Sequence, residues 1–115
     1  MNDLEALRQQ LRNFASDRDW EPFLSPKNLA MALSVEASEL VEHFQWLTEE
    51  QSKRLSSEAV TAVGHEAADV LLYLIQLSDK LGIDLIAAAN RKIAMNAEKY
   101  PVDKARGTAK KYTEL

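Results

Sequence analysis

Residues 57–81 are apolar around most of a helical circumference, and this feature constrains the fold more than any other. At about 100° per residue, one narrow stripe of that helix stays polar, formed by Glu66, Asp69, Tyr73 and Gln76. A helix that is apolar on nearly every side is buried on several sides. A single domain of 115 residues buries a modest core, so the segment predicts packing against another subunit as well.

The first half of the chain has helical spacing with clear start signals. Residues 3–17 carry apolar side chains at helical intervals. Ser25 followed by Pro26 predicts the start of a second helix, which we expect to run to about Trp46. Thr48 predicts the cap of a short helix or turn. No stretch has the pattern of a strand, so the sequence predicts an all-α fold.

The second half is divided by its glycine and proline residues. Gly82 predicts the end of the long helix, and Asp84 predicts the cap of another that ends before Pro101. Short connections favour antiparallel neighbours. We therefore expect a compact antiparallel bundle of four main helices over residues 1–101, assembling as an oligomer, and a polar, loosely ordered tail over residues 102–115.

Composition excludes several classes of function. The chain has no cysteine, which excludes disulfides and thiolate metal sites, and its net charge of −4 makes duplex nucleic acid an unexpected partner. The start of the sequence lacks the basic and apolar segments of a signal peptide. The longest apolar run, residues 70–75, is shorter than the roughly 18 residues of a membrane span. We expect a cytoplasmic protein without a membrane partner.

Two pairs of acidic residues repeat the same spacing on two predicted helices. Glu36 and Glu39 border the apolar stripe of the second helix, and Glu66 and Asp69 lie on the polar stripe of the long helix. Carboxylates three residues apart are neighbours on a helix, and packed helices lie about 8–10 Å apart. Four carboxylates around one small volume repel each other, and a hard cation such as Mg²⁺ or Mn²⁺ relieves that repulsion. The pattern predicts a divalent metal site.

Two other interpretations of the acidic residues stay open. Ordinary solvated acidic stripes are one alternative, although two helices with the same device favour metal. A di-iron or di-manganese bundle is the other, and such bundles use Glu-x-x-His. The residues three positions after Glu36, Glu39 and Glu66 are all acidic here. His43 follows Glu39 by four residues, and we expect it to pack or to support a ligand.

Cationic and amide side chains share a face of the last long helix. Lys92, Asn96 and Lys99 lie within about 60° on the helical wheel, an arrangement that suits a polyphosphate. A solvated face, favoured near a helix C-terminus, is the alternative. Lys27 and Asn28 lie at the start of the second helix, where exposed N–H groups attract phosphate. Their alternative role is helix capping.

Two tryptophans flank the second helix. Trp20 precedes it and Trp46 ends it. Aromatic faces stack nucleobases, but tryptophan also fills the core of small bundles. The sequence alone leaves both roles open.

These residues resemble the MazG-like all-α nucleoside triphosphate pyrophosphohydrolases, particularly the dCTP pyrophosphatase branch. The acidic pattern of that family is Glu-x-x-Glu, a spacer and Glu-x-x-Asp. The resemblance extends over nearly the whole chain, through Arg18-Asp-Trp20, Ser25-Pro-Lys-Asn28, Phe44-Gln-Trp46, Asp69-Val-Leu-Leu-Tyr73 and Lys99-Tyr-Pro101.

The resemblance implies hydrolysis between the α- and β-phosphates, which yields a nucleoside monophosphate and pyrophosphate in nucleotide-pool house-cleaning. It implies Mg²⁺, with Mn²⁺ as an alternative, bound by Glu36, Glu39, Glu66 and Asp69. A carboxylate orients the attacking water, and we choose Glu39 ahead of Glu36. The expected nucleotide-binding residues are Trp20, Lys27, Asn28, Trp46, Tyr73, Lys92, Asn96, Lys99 and Tyr100.

The resemblance also implies a homo-oligomer, a dimer or a tetramer, and leaves the base and the number of metal ions open. The resemblance also includes members of the branch that can carry a histidine nine positions before the loop tryptophan, and Leu11 stands there in this chain, so a preference for dCTP does not follow from the resemblance. A non-catalytic helical interaction or regulatory oligomer is the rival function. It needs the apolar faces but not the facing acidic pairs.

Overall fold

A computed structural model describes residues 2–115, and every regular element in this range is helical. The prediction of an all-α fold is confirmed. The elements are α1 (Asp3–Asp17), a 3-10 turn (Glu21–Phe23), α2 (Pro26–Glu42), α3 (Glu49–Ser52), α4 (Ser57–Lys80), α5 (Leu85–Lys99), α6 (Val102–Ala105) and a second 3-10 turn (Tyr112–Glu114).

Local capping explains where most helices begin and end. The Ser25 hydroxyl accepts a hydrogen bond from the N–H of Asn28, and the Asp84 carboxylate accepts one from the N–H of Ala87. Both contacts satisfy an N–H group that has no partner within its helix. Gly82 follows α4 with φ +66°, in the left-handed region that favours glycine.

The second helix is shorter than its sequence predicts. α2 ends at Glu42, and residues 43–46 form turns, so the expected extension to Trp46 is wrong. The N–H of Phe44 donates to the carbonyl of Val41 at 2.9 Å, three residues back instead of four. This tighter winding takes the chain off the helical path, and Trp46 is 86% exposed.

The structure separates into two compact units, the first ending at Gly82 and the second beginning at Ile83. In the first unit α4 packs against both α2 and α1. Each of these three helices contributes a buried apolar side chain, Ala15 from α1, Leu29 from α2 and Ile75 from α4. This packing places the acidic faces of α2 and α4 beside each other.

The second unit contains α5, α6 and the final 3-10 turn. The sequence predicts a loosely ordered tail after Pro101, but the tail forms both of these short elements. The ring of Tyr112 packs edge-on against Tyr100, with centroids 6.1 Å apart. Aromatic contacts far apart in sequence are invisible to local patterns. The division into residues 1–101 and 102–115 stays a prediction.

By length and composition alone, α4 also qualifies as a membrane span. Its continuous apolar run is short, but several alanines add to the apolar character of the helix. Core helices of soluble proteins pass the same test, so the finding carries little weight. The expected lack of a membrane partner stays a prediction.

Candidate active site

Three acidic side chains from two helices meet at one point. Glu36 and Glu39 lie one turn apart on α2, and Glu66 faces them from α4. One carboxylate oxygen from each lies within 4.8 Å of the other two, and all three residues are half-buried. Such spacing allows one cation to contact all three carboxylates.

Two oxygens of this cluster have no partner within the protein. Oε2 of Glu36 and Oε2 of Glu66 are buried and accept no hydrogen bond from residues 2–115. A buried carboxylate oxygen without a partner is costly, because it loses hydration and gains nothing in exchange. Oxygen donors of this kind are the ligands that Mg²⁺ and Mn²⁺ prefer. The residues present therefore fit a divalent cation.

The crowding of negative charge changes the acidity of Glu36. A hydrogen bond with Glu39 is the main cause that raises the pKa of Glu36 to about 7, and desolvation raises it further. The negative charges of Glu39, Asp69 and Glu66 act in the same direction. Like charges this close favour the protonated acid, and a bound cation favours the opposite.

The other residues predicted at the acidic site lie beside the cluster. Asp69 is exposed on α4 and lies outside the group of three, although its charge reaches Glu36. Nε2 of His43 lies 3.9 Å from Oε1 of Glu66, so the imidazole borders a candidate ligand. Tyr73 is half-buried on α4, one turn beyond Asp69. A ligand role for Asp69 stays a prediction.

The loop before α2 carries Trp20 and is held by contacts that local sequence patterns do not reveal. The indole packs edge-on against Phe14, with centroids 5.8 Å apart, and is 46% exposed. The side-chain amide of Asn28 donates to the carbonyl of Phe23 at 3.0 Å. This bond commits part of the Asn28 amide to the loop, while Lys27 stays exposed. Phosphate binding by both residues stays a prediction.

Two ion pairs join the N-terminal segment to the end of α4. Lys80 contacts Glu21 at 2.5 Å, and Arg12 contacts Asp79 at two points. The partners are 59 and 67 residues apart in sequence, so no local pattern indicates them. Together they border a recess between α1, the loop and α4 that Leu11 also lines.

The remaining predicted nucleotide-binding residues belong to the second unit. Lys92 and Asn96 are exposed on α5, and Lys99 is half-buried in its last turn. Their spacing of four and three residues places them on one helical face, as predicted. Tyr100 follows the helix, and its N–H donates to the carbonyl of Asn96 at 2.9 Å. Substrate binding by these four residues stays a prediction.

Comparison with known proteins gives consistent matches. The model of the MazG-like family matches residues 31–115. Human dCTP pyrophosphatase 1 is 40% identical over 114 residues, which cover 97% of this chain and 67% of the human protein. The mouse protein of the same name is 41% identical over the same length, with the same coverage. A pyrophosphatase structure from Archaeoglobus fulgidus has a TM-score of 0.82 and 38% identity, covering 88% of this chain and 94% of that one.

Proposed function

We propose that this chain, which belongs to the MazG-like family and is a nucleoside triphosphate pyrophosphohydrolase, cleaves dCTP-like deoxynucleoside triphosphates with the help of Mg²⁺. The observation that carries the metal-dependent part is the meeting of Glu36, Glu39 and Glu66. Two of these carboxylates each leave one buried oxygen without a protein partner. Oxygen ligands so placed are suited to hold a cation between the protein and a triphosphate.

Hydrolysis of the triphosphate needs a metal ion and a water that is positioned for attack. Glu36, Glu39 and Glu66 would hold the cation, and the negative charge of Asp69 acts on the same cluster. When bound, Mg²⁺ neutralises the triphosphate charge and polarises the α-phosphorus. Glu39 would orient the water for in-line attack on the α-phosphorus and accept its proton. The water oxygen bonds to the α-phosphorus as the bond to the oxygen bridging the α- and β-phosphates breaks, and pyrophosphate leaves. The products are a nucleoside monophosphate and pyrophosphate, and no covalent nucleophile is required.

Substrate choice rests on the aromatic residues around the first unit. Trp46 is 86% exposed and Trp20 is 46% exposed, so neither indole is buried in the core of this chain. Exposed indoles are suited to stack on a nucleobase. The relatives named as dCTP pyrophosphatases support dCTP as the first substrate to test. Leu11 stands where the resemblance allows a histidine, so we expect the preference for dCTP over other bases to be the part of the proposal that the substrate panel tests most directly.

We also propose that the chain assembles into a homo-oligomer, either a dimer or a tetramer. Large apolar side chains on α2 and α4 are about half-exposed: Met31, Val35, Val41, Val60 and Leu71. Several half-exposed apolar side chains on two helices of so small a chain favour a protein interface. We further propose that the four main helices are arranged antiparallel and that the protein is cytoplasmic.

The test is pyrophosphate release from a panel of deoxynucleoside triphosphates with Mg²⁺. We expect release from at least one of them, dCTP among the best, together with an equal amount of the monophosphate. Removal of the metal with a chelator should abolish release, and Mn²⁺ should restore it. Release of inorganic phosphate instead of pyrophosphate would contradict the assigned bond. Full activity in the chelator would contradict the metal.

A further inference from the structure

A lysine of α5 rests on a tyrosine from the end of the chain. Nζ of Lys99 lies 5.0 Å from the centroid of the Tyr112 ring. The same ring packs edge-on against Tyr100, the next residue, with an angle of 84° between the ring planes. One side chain from the final 3-10 turn thus contacts two consecutive residues at the end of α5.

This contact restricts a side chain that is otherwise mobile. A lysine ammonium is attracted to the negative face of an aromatic ring. It has three donors, so contact with the ring on one side leaves others free for another acceptor. A long lysine stem loses rotamer freedom when it is fixed, and a contact made before binding removes part of that loss from the binding step.

We propose that Tyr112 is a positioning residue that holds Lys99 ready for the oligophosphate of the substrate. The inference rests on the proposed function, because that function supplies the phosphate that Lys99 contacts. Tyr112 itself touches no substrate in this scheme and acts through the ammonium.

The turn that carries Tyr112 supports this role. The N–H of Glu114 donates to the carbonyl of Lys111 at 2.9 Å, and the N–H of Leu115 donates to the carbonyl of Tyr112 at 3.3 Å. Tyr112 is 47% exposed, so its ring is not a core side chain whose main role is packing. Its contacts instead lie with Lys99 and Tyr100, both of which are half-buried.

The experiment compares Tyr112→Leu with Tyr112→Phe in the full chain, each alone and combined with Lys99→Met. Leucine removes the aromatic face, whereas phenylalanine keeps it. We expect Tyr112→Leu to lower kcat/KM for the best substrate about two- to fivefold, mainly through KM, the factor that about 0.5–1 kcal/mol corresponds to. Tyr112→Phe should keep the kinetics of the wild type. Thr113→Ala in the same turn is the matched control and should have no effect.

The double variant separates positioning from a general structural role. If Tyr112 acts through Lys99, Tyr112→Leu should cause no further loss in the Lys99→Met background. An equal loss in both backgrounds, a gain of activity, or an unaffected Lys99→Met variant would each overturn the proposal. Failure of the wild-type chain to release pyrophosphate would instead overturn the proposed function.

A readout without substrate checks the contact itself. The ring should shift the proton resonances of the Lys99 ε-methylene upfield, and Tyr112→Leu should abolish the shift while Thr113→Ala preserves it. Resonances that are the same in the wild type and in Tyr112→Leu would show that the two side chains are not in contact, which also overturns the proposal.

Discussion

Arg12 and Asp79 form a two-point ion pair between α1 and α4. Nε of Arg12 donates to Oδ2 of Asp79 at 2.8 Å, and Nη2 donates to Oδ1 at 2.5 Å. The Asp79 side chain is 15% exposed, which limits screening by solvent. The hydrogen bond to Arg12 is the main cause that lowers the pKa of Asp79 below its ordinary value.

This pair predicts a loss of stability in acid. A carboxyl group whose pKa is lower in the folded protein stabilises the fold above its unfolded pKa of about 3.9. That contribution is lost as the pH falls through the folded pKa. Asp79→Asn should therefore reduce the free energy of unfolding by about 1 kcal/mol at pH 7, and by progressively less as the pH falls through the lowered pKa of Asp79. Urea unfolding at a fixed protein concentration, measured across this pH range, checks it.

An exposed ion pair provides the control for this prediction. Glu50 and Lys53 lie 3.4 Å apart on the surface, and both side chains are more than 60% exposed. Glu50→Gln should change the free energy of unfolding by less than about 0.5 kcal/mol at any pH. If Asp79→Asn behaved like Glu50→Gln at pH 7, the interhelical pair would contribute nothing measurable.

The carboxylate cluster predicts large losses of activity without loss of fold. Glu39→Gln and Asp69→Asn should each lower kcat/KM at least about 100-fold, because each removes a negative oxygen from the cation or from the attacking water. Glu42→Gln is the matched control, since Glu42 is exposed at the end of the same helix. Pyrophosphate release measures activity, and circular dichroism checks the helices. Near-normal turnover in both variants would contradict the assignment of these residues to the metal site.

The local parts of the fold could be predicted from the sequence. Ser25, Asp84 and Gly82 act on their nearest neighbours, so their capping roles follow from the residue types alone. The meeting of Glu36 and Glu39 with Glu66 was also predictable, because the i, i+3 spacing and the apolar faces together indicate which side chains meet, whereas the position of Asp69 outside this group was not.

Other features depend on contacts between distant parts of the chain. The partner of Asp79 is 67 residues away, and many carboxylates of similar sequence context are available to Arg12. The end of α2 at Glu42 also escaped prediction, because no glycine or proline marks it. The hydrogen bond from the side-chain amide of Asn28 to the carbonyl of Phe23 likewise has no signal in the local sequence, and phosphate binding by Asn28 stays a prediction. Such choices are decided by packing, which a single sequence does not record.

The unpaired oxygens predict that metal stabilises the folded protein. Without metal, Glu36, Glu39 and Glu66 repel each other, so Glu39→Gln should raise the melting temperature of the metal-free chain. Adding Mg²⁺ should raise the melting temperature of the wild type. At 100 times its Kd, the ion should add about 2.7 kcal/mol to the free energy of unfolding. Differential scanning calorimetry checks both effects. An equal Mg²⁺ shift in wild type and Glu36→Gln would contradict a site at this cluster.

The exposed apolar residues predict that the chain has no stable folded monomer. Leu71 on α4 and Val41 on α2 are 40% and 56% exposed, and burial in a partner would stabilise both. Leu71→Asp should weaken assembly and lower helicity together, because folding and association are coupled. Light scattering across a dilution series measures the mass. A fully helical monomer at micromolar concentration would refute this prediction.

The lysines of α5 distinguish a substrate contact from a solvated surface. Lys92 and Lys99 share a helical face, which suits a chain of phosphates. If they bind the triphosphate, Lys92→Ala and Lys99→Ala should each lower kcat/KM at least about tenfold, since a charged hydrogen bond contributes about 1.5–3 kcal/mol. Lys104→Ala on α6 is the control and should leave kinetics unchanged. Raised salt should not reproduce the loss, because a shielded contact is screened less than an exposed one. Unchanged kinetics in both α5 variants would remove this helix from the site.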